Sequence, residues 1–295
     1  MMVATENTKP APSPGIYYGV PFDEYLAWDA VSNSSLSPAL KSMLHYREQK
    51  ALADTPAMRL GRVVHAGKLD PAALLEDYAA MPDFTPLLKG EYTRPRASKE
   101  WKELEAAWLE KNVGKEIVTS DEMERLKGIL TALWKHLRAA AYLSRGIPEV
   151  SIVWVDPESG LTCKGRLDWL DPDTPAVTDL KTTSDASRFE TQIARLSYHR
   201  QAAFYAAGLR VLTGKRHAVR IVAVENDHPF GVRAAPLSAD ALSAGRDEYR
   251  RLLEEIATCK KSGAWPGYQD PNEWELPEWA LPKTELTVNG VRVAL

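Results

Sequence analysis

The chain has only two cysteines, Cys163 and Cys259, in 295 residues. That is too few for the disulfide framework of a small secreted fold and points to a reducing compartment. No apolar run reaches the length that crosses a bilayer. Met1 to Pro14 is polar and proline-rich rather than signal-like, so a disordered tail over residues 1–14 and a cytoplasmic location are expected. Internal repeats and Walker, Rossmann and zinc-finger patterns are all missing. Neither sign of charge dominates: 37 Lys and Arg against 40 Asp and Glu give a formal net charge of -3. This balance argues against a protein that passively coats nucleic acid, but not against an enzyme whose basic residues are local. With 44% hydrophobic residues, the chain can bury a sizeable core as one elaborated domain.

What the chain does have is a concentration of opposite charges around one predicted hairpin. Pro172-Asp173-Thr174-Pro175 reads as a loop flanked by strand-like sequence from Leu161 to Lys181. With those four residues as the loop, Asp168 falls opposite Asp179, their Cβ atoms about 5 Å apart. Like charges so placed repel, and a divalent cation between them turns the pair into a chelate. Alternation puts Lys181 on the face of Asp179 and sends Leu180 into the core. Counting back through a second turn, Pro157-Glu158-Ser159-Gly160, places Glu149 opposite Asp168. Three carboxylates then line one face beside an ammonium, the layout of a metal-dependent phosphodiesterase. A slip of one residue would break this register.

Around that centre the pattern alternates helices and strands. Gly15 to Leu44 reads as a short strand, a helical turn near Phe22 to Leu26, and a helix capped by Ser35 or Ser37. The serines there, Ser32 included, read either as simple caps or as phosphate contacts at a helix start. Met58 to Leu69 has helical character, with Gly61 and His65 four apart on one face. A helical insert follows over about residues 70–145, with helices near Ser98 to Lys111 and Ser120 to Leu143. Its basic stretch Lys89 to Lys102 reads equally as a phosphate contact or a solvated loop. Beyond the hairpin, a short helix breaks near Ser197 and a longer one closes at Gly214. Tyr198, Gln201 and Tyr205 share a face of the longer helix, where glutamine needs a polar partner among apolar neighbours. Strands at His217 to Glu225 and Phe230 to Ala235, a helix from Ser238 to Lys261, and an Asn289-Gly290 hairpin complete the chain.

These pieces, in order, resemble the PD-(D/E)xK nuclease superfamily. Within it they are similar to RecE-type (exodeoxyribonuclease VIII-like) phage and prophage exonucleases, related to lambda exonuclease and the RecB nuclease domain. The resemblance runs from about Gly15 to Trp265. It rests on Val31-Ser-Asn-Ser-Ser-Leu36, Gly61-Arg-Val-Val-His65, Glu149, Gly165-Arg-Leu-Asp168, Asp179-Leu-Lys181 and Gln201-Ala-Ala-Phe-Tyr205. The first position of the superfamily name is not a Pro-Asp pair here, and Asp168 carries that part of the motif. Branches that hold an iron-sulfur cluster on four cysteines are excluded by the cysteine count.

The resemblance implies an α/β fold with a mixed central sheet flanked by helices. It implies a nuclease domain over residues 15–282 and a C-terminal hairpin or tail at 283–295. Its implied metal is Mg²⁺, with Mn²⁺ able to substitute, held by Asp168, Asp179, His65, the Leu180 carbonyl and Glu149. Lys181 would act on the attacking water and the charge of the transition state, with Gln201 and Tyr205 orienting substrate or lysine. DNA would meet Ser32, Ser35, Arg62 and Tyr198. The activity implied is 5′-to-3′ digestion of double-stranded DNA ends in a bacterial host cell, leaving 3′ tails for a single-strand annealing protein. A ring-shaped homo-oligomer, trimer or tetramer, would do this. A RecB-like or structure-specific endonuclease and a non-catalytic recombination subunit are the alternatives.

Overall fold

The computed structural model describes residues 9–49, 78–277 and 280, and the backbone of two terminal strands, 285–288 and 291–294. At its centre is one six-stranded mixed sheet. In chain order its members are β2 (Gly15–Tyr17), β6 (Ile147–Val155), β7 (Thr162–Asp171), β8 (Ala176–Thr183), β9 (Ala218–Glu225) and β10 (Val232–Pro236). In space the order is β10-β9-β8-β7-β6-β2, with β8 and β9 parallel and every other neighbour antiparallel. The expected α/β class with a mixed central sheet is what forms.

Helices cover both faces. On one face lie α8 (Tyr198–Thr213) and α9 (Ala239–Ser262), which enclose a core with Ile152, Trp154, Leu167 and Val177 from the sheet. Alanine and glycine on α8 allow close approach: a Cβ on Gly208 would meet the Trp154 ring at 2.7 Å. On the other face, α5 (Ser120–Lys135) and α6 (Leu137–Leu143) pack Leu126, Ile129, Leu133 and Leu143 against Trp169, Leu180, Val222 and Val224. Leu180 therefore points into the core, as alternation along β8 requires.

The insert differs from its expected form. One helix was expected over Ser120 to Leu143, but His136 adopts an extended backbone between α5 and α6, and its ring accepts the Ala139 N–H and caps α6. The insert also contains a parallel pair, β4 (Tyr78–Met81) with β5 (Glu116–Thr119), beside α4 (Lys99–Lys111). At the other end, residues 9–14 are placed rather than tail-like. β1 (Lys9–Pro10) pairs with β3 (Trp28–Asp29), and the Tyr17 hydroxyl donates to the Ser13 carbonyl. The breaks at Ser197 and Gly214 occur as expected, each in the left-handed region. The terminal strands β11 (Glu285–Val288) and β12 (Val291–Ala294) pair with Val288 opposite Val291, the register of a two-residue turn.

Candidate active site

Asp168, Asp179 and Lys181 meet where β7 and β8 part. The two strands pair in the predicted register, Asp171 with Ala176 and Trp169 with Thr178, and the ladder ends there. The next step of that register brings Asp168 and Asp179 together. Because the ladder has stopped, the Leu180 N–H finds the Asp168 carboxylate instead, at 2.8 Å. A buried amide is costly to leave unsatisfied, so this bond both closes the gap and fixes Asp168. Lys181 reaches back to Asp179, its Nζ 2.9 Å from Oδ1 and 2.7 Å from Oδ2. Burial alone would lower the Lys181 pKa, but the Asp179 and Asp168 charges outweigh it and raise the ammonium above its ordinary range.

Helix α8 supplies the wall of the site. Gln201 donates its amide to Asp179 Oδ1 at 3.0 Å, which is the polar partner that its apolar surroundings demanded. The Tyr198 ring lies under the Lys181 ammonium at 4.9 Å. Tyr205 takes a different part from the one expected. It shares the helical face of Gln201, and the Gln201 amide stands 3.4 Å from its hydroxyl, but its ring is sunk in the core. Gly165 on β7 makes the room, since a Cβ there would stand 2.9 Å from that ring. Burial pushes the Tyr205 phenol well above its ordinary pKa. Tyr205 is thus a packed support for Gln201.

Other expected residues are placed less simply. Glu149 holds the predicted register, between the pairs Pro148 with Trp169 and Val150 with Leu167, but its own backbone is left-handed (φ 52°) and interrupts the ladder. Its carboxylate accepts from Arg166 Nε at 2.6 Å rather than extending the acidic pair. Ser32, not Ser35 or Ser37, caps the helix α2 (Asn33–Leu36), and Ser35 reciprocates in a capping box. The Ser32 hydroxyl accepts from the Ser35 N–H, and the Ser35 hydroxyl donates to the Ser32 carbonyl. Arg62 and His65 lie outside the described residues.

Two residues were missed. Arg200, next to Gln201, is fully buried and donates to Asn33, Ser37 and Glu248. It ties α2 to the helix that carries Gln201. Arg166 bonds Glu149 and the Val20 carbonyl and lies over the Phe22 and Tyr25 rings. Arg166 was visible as part of Gly165-Arg-Leu-Asp168. Arg200 had no signal beyond its place beside Gln201.

Asp168 and Asp179 present carboxylate oxygens, the donor type that a hard divalent cation prefers. They fit such an ion, with Lys181 neutralising part of the charge. Among the described residues no cluster of three His, Cys, Asp or Glu gathers.

Comparison with known proteins bears on the fold and the family. No curated protein matches the chain. A crystal structure of a "putative exonuclease" from Eubacterium rectale superposes with a TM-score of 0.55 at 13% identity, covering 84% of this chain and 88% of that one. At that identity the likeness shows the fold alone. A second structure, SSO0001, at a TM-score of 0.25, 16% identity, and 53% and 69% coverage, supports no argument. The model of one family matches residues 34–274, across five of the six sheet strands, the acidic pair and α8, and the chain belongs to that family, described as a PDDEXK-like domain of unknown function (DUF3799).

Proposed function

We propose that the protein is a metal-dependent deoxyribonuclease, a 5′-to-3′ exonuclease that digests double-stranded DNA ends and leaves 3′ single-stranded tails. The observation that carries this is the junction of β7 and β8, where Asp168, Asp179 and Lys181 converge at a parting of strands beside Gln201. Mg²⁺, with Mn²⁺ as substitute, would be held by Asp168, Asp179 and the Leu180 carbonyl, with His65 as a further ligand. When bound, it supplies Lewis acidity toward a phosphodiester oxygen and a more acidic water. The protein's own groups do the rest. Asp168 is fixed by the Leu180 amide, and Gln201 fixes Asp179, so both carboxylates are held before substrate arrives. Lys181 places a positive charge where a phosphate gathers negative charge as it is attacked. The Tyr198 ring faces that ammonium at 4.9 Å, a cation–π contact that favours its charged form.

A ring-shaped homo-oligomer, trimer or tetramer, and a single-strand annealing protein as recipient of the tails belong to the same reading, as does a cytoplasmic setting in a bacterial host cell. Its support is the ordered motif set and the fold, because a resecting enzyme must stay on DNA through many cuts and the net charge of -3 offers little long-range grip. The test is a linear duplex labelled at either its 5′ or its 3′ ends, incubated with Mg²⁺ or with a chelator. Release of 5′ label only, with Mg²⁺ only, is expected. Cutting of covalently closed circles would establish an endonuclease, and 3′ release would reverse the polarity. No cleavage with Mg²⁺, or with Mn²⁺ in its place, would remove the catalytic reading.

A further inference from the structure

The sheet ends at β10, an edge strand, and a groove of about 1170 Å³ runs along it between the start of α6, the start of α9 and the helix α7 (Phe189–Arg195). Its floor is apolar, formed by Ile221 and Ala223 of β9 under Phe189. Leu137 projects from its rim and is 89% exposed. Among the described residues that line it, Lys135, Arg138 and Arg233 supply the charge, against a single carboxylate, Glu190, which is already bound to Arg233 at 2.5 Å. The groove therefore offers a net positive rim over an apolar floor. Such a site fits an extended segment that alternates acid with large apolar side chains.

One segment of this chain has that composition. After α9, Asp270-Pro-Asn-Glu273-Trp274-Glu275-Leu276 runs without helix or strand, with three carboxylates and no basic residue. Its apolar members face solvent, Trp274 at 91% exposure and Leu276 at 64%. An indole so exposed is a common anchor for association. It does not reach the groove of its own molecule. Ala241 and Ala244 of α9 line the groove, whereas the chain just beyond the other end of α9 is fastened to α3 (Met43–Arg47). There Trp265 stacks on Tyr46, the Pro266 carbonyl accepts from the Leu44 N–H, and the Tyr268 ring meets His45. From Ala244 to Ser262 the helix rises about 27 Å. Six residues from Tyr268 to Trp274 span at most about 20 Å even when fully extended.

We propose that the β10 groove receives the Asp270–Leu276 segment of a second copy of this chain, with Trp274 seated on the apolar floor and the carboxylates against Lys135 and Arg138. The contact is head to tail, because groove and segment lie at opposite ends of α9. Repeated contacts of that kind close into a ring when the rotation permits. The inference thus gives the ring reading a specific joint, and it does not depend on the nuclease chemistry.

The test is molar mass by light scattering on the full-length protein, together with fluorescence anisotropy on a labelled duplex. Trp274→Ala, the tail reversal Glu273→Lys/Glu275→Lys and the groove reversal Lys135→Glu/Arg138→Glu should each bring the mass down to one chain, 32.8 kDa. All three change exposed side chains, and circular dichroism checks their folding. Mixing the tail-reversed and groove-reversed proteins should restore assembly, since each then offers the complement of the other. An oligomer that all three variants leave intact would overturn the joint and leave the ring standing on another surface. A monomeric wild type would overturn both. Weaker duplex binding in the groove reversal, with mass unchanged, would make the groove a DNA surface and overturn the proposal.

Discussion

Asp179→Asn is the perturbation that separates two accounts of the acidic pair. If repulsion between Asp168 and Asp179 governs the metal-free protein, neutralising one of them should stabilise it. The geometry says otherwise, because both Asp179 oxygens lie on the Lys181 ammonium and one also accepts from Gln201. The side chains of Asp179 and Lys181 are only 8% and 16% exposed. Removing one partner of a buried pair typically costs about 3–5 kcal/mol, since the remaining charge stays desolvated. Asp168 still attracts the ammonium and the Tyr198 ring still faces it, which recovers part of that cost. A loss of about 2–3 kcal/mol is expected, or a fall of roughly 3–5 °C in Tm for a chain of this length. The assay is thermal denaturation of wild type, Asp179→Asn, Lys181→Met and the double variant, at neutral pH with a chelator present. The double variant should be less destabilised than the sum of the singles. A Tm for Asp179→Asn equal to or above wild type would refute the reasoning and restore repulsion as the dominant effect.

Lys181→Ala should lower the rate of metal-dependent cleavage by about two or more powers of ten while duplex affinity stays within a few-fold, as for loss of one preorganised electrostatic group; single-turnover kinetics beside a binding titration would show it, and a loss confined to affinity would contradict it. Gln201→Ala should reduce the rate about tenfold or more with little change in Tm, whereas Tyr205→Ala should mainly lower Tm, by an amount matching about 3–5 kcal/mol for a buried aromatic; the reverse pattern would restore Tyr205 to the chemistry. Lys164 donates to the carbonyls of Tyr25, Leu26 and Trp28 at the end of α1 (Phe22–Ala27), so Lys164→Met should cost about 2–3 kcal/mol in urea unfolding through those stranded acceptors. Burial alone would raise the Asp156 carboxyl, but bonds from Arg250 and Ser159 hold it below its ordinary value. Its stabilising contribution is therefore present at neutral pH and lost as pH falls below about 4. Asp156→Asn should lower stability at pH 7 and flatten the acid limb of the stability curve, and an unchanged acid limb would count against this.

The hairpin was legible because each loop bounded a strand pair of period two. Counting outward from Pro172–Pro175 gives the observed pairs of β7 with β8, and counting from Pro157–Gly160 gives those of β6 with β7. What counting does not reveal is where a ladder stops. The β7–β8 ladder ends one step before the acids, and Glu149 interrupts the β6–β7 ladder with a left-handed backbone inside β6. Both depend on tertiary context, namely the Leu180 amide held by Asp168 and the Glu149 carboxylate captured by Arg166. Gln201 was legible as a polar residue on an apolar stripe. Tyr205 was not, because helical spacing gives a shared face but not its depth, and the depth comes from the missing side chain at Gly165. The break at His136 likewise arises from a cap made by its own ring, in a residue with no strong helix-ending signal.

The site is held together through closely spaced residues of one helix. Tyr198 faces Lys181, Gln201 bonds Asp179, and Arg200 between them turns away to bind Asn33, Ser37 and Glu248. Successive helical residues point about 100° apart, so α8 can address the acidic pair with one edge and α2 and α9 with the next. Arg200 is fully buried, and its bonds to both neighbours fix the rotation of α8 about its axis. A rotation of even 20° would move side-chain ends several ångström from the axis by more than 1 Å, enough to take Gln201 out of reach of Asp179. The serine-rich helix start at Ser32 to Ser35 thus bears on the candidate site through the angle at which α8 presents Gln201, with its own hydroxyls spent on the cap that holds Asn33 in place. The geometry of the candidate site therefore rests on a buried arginine outside the acidic cluster as much as on the acids themselves.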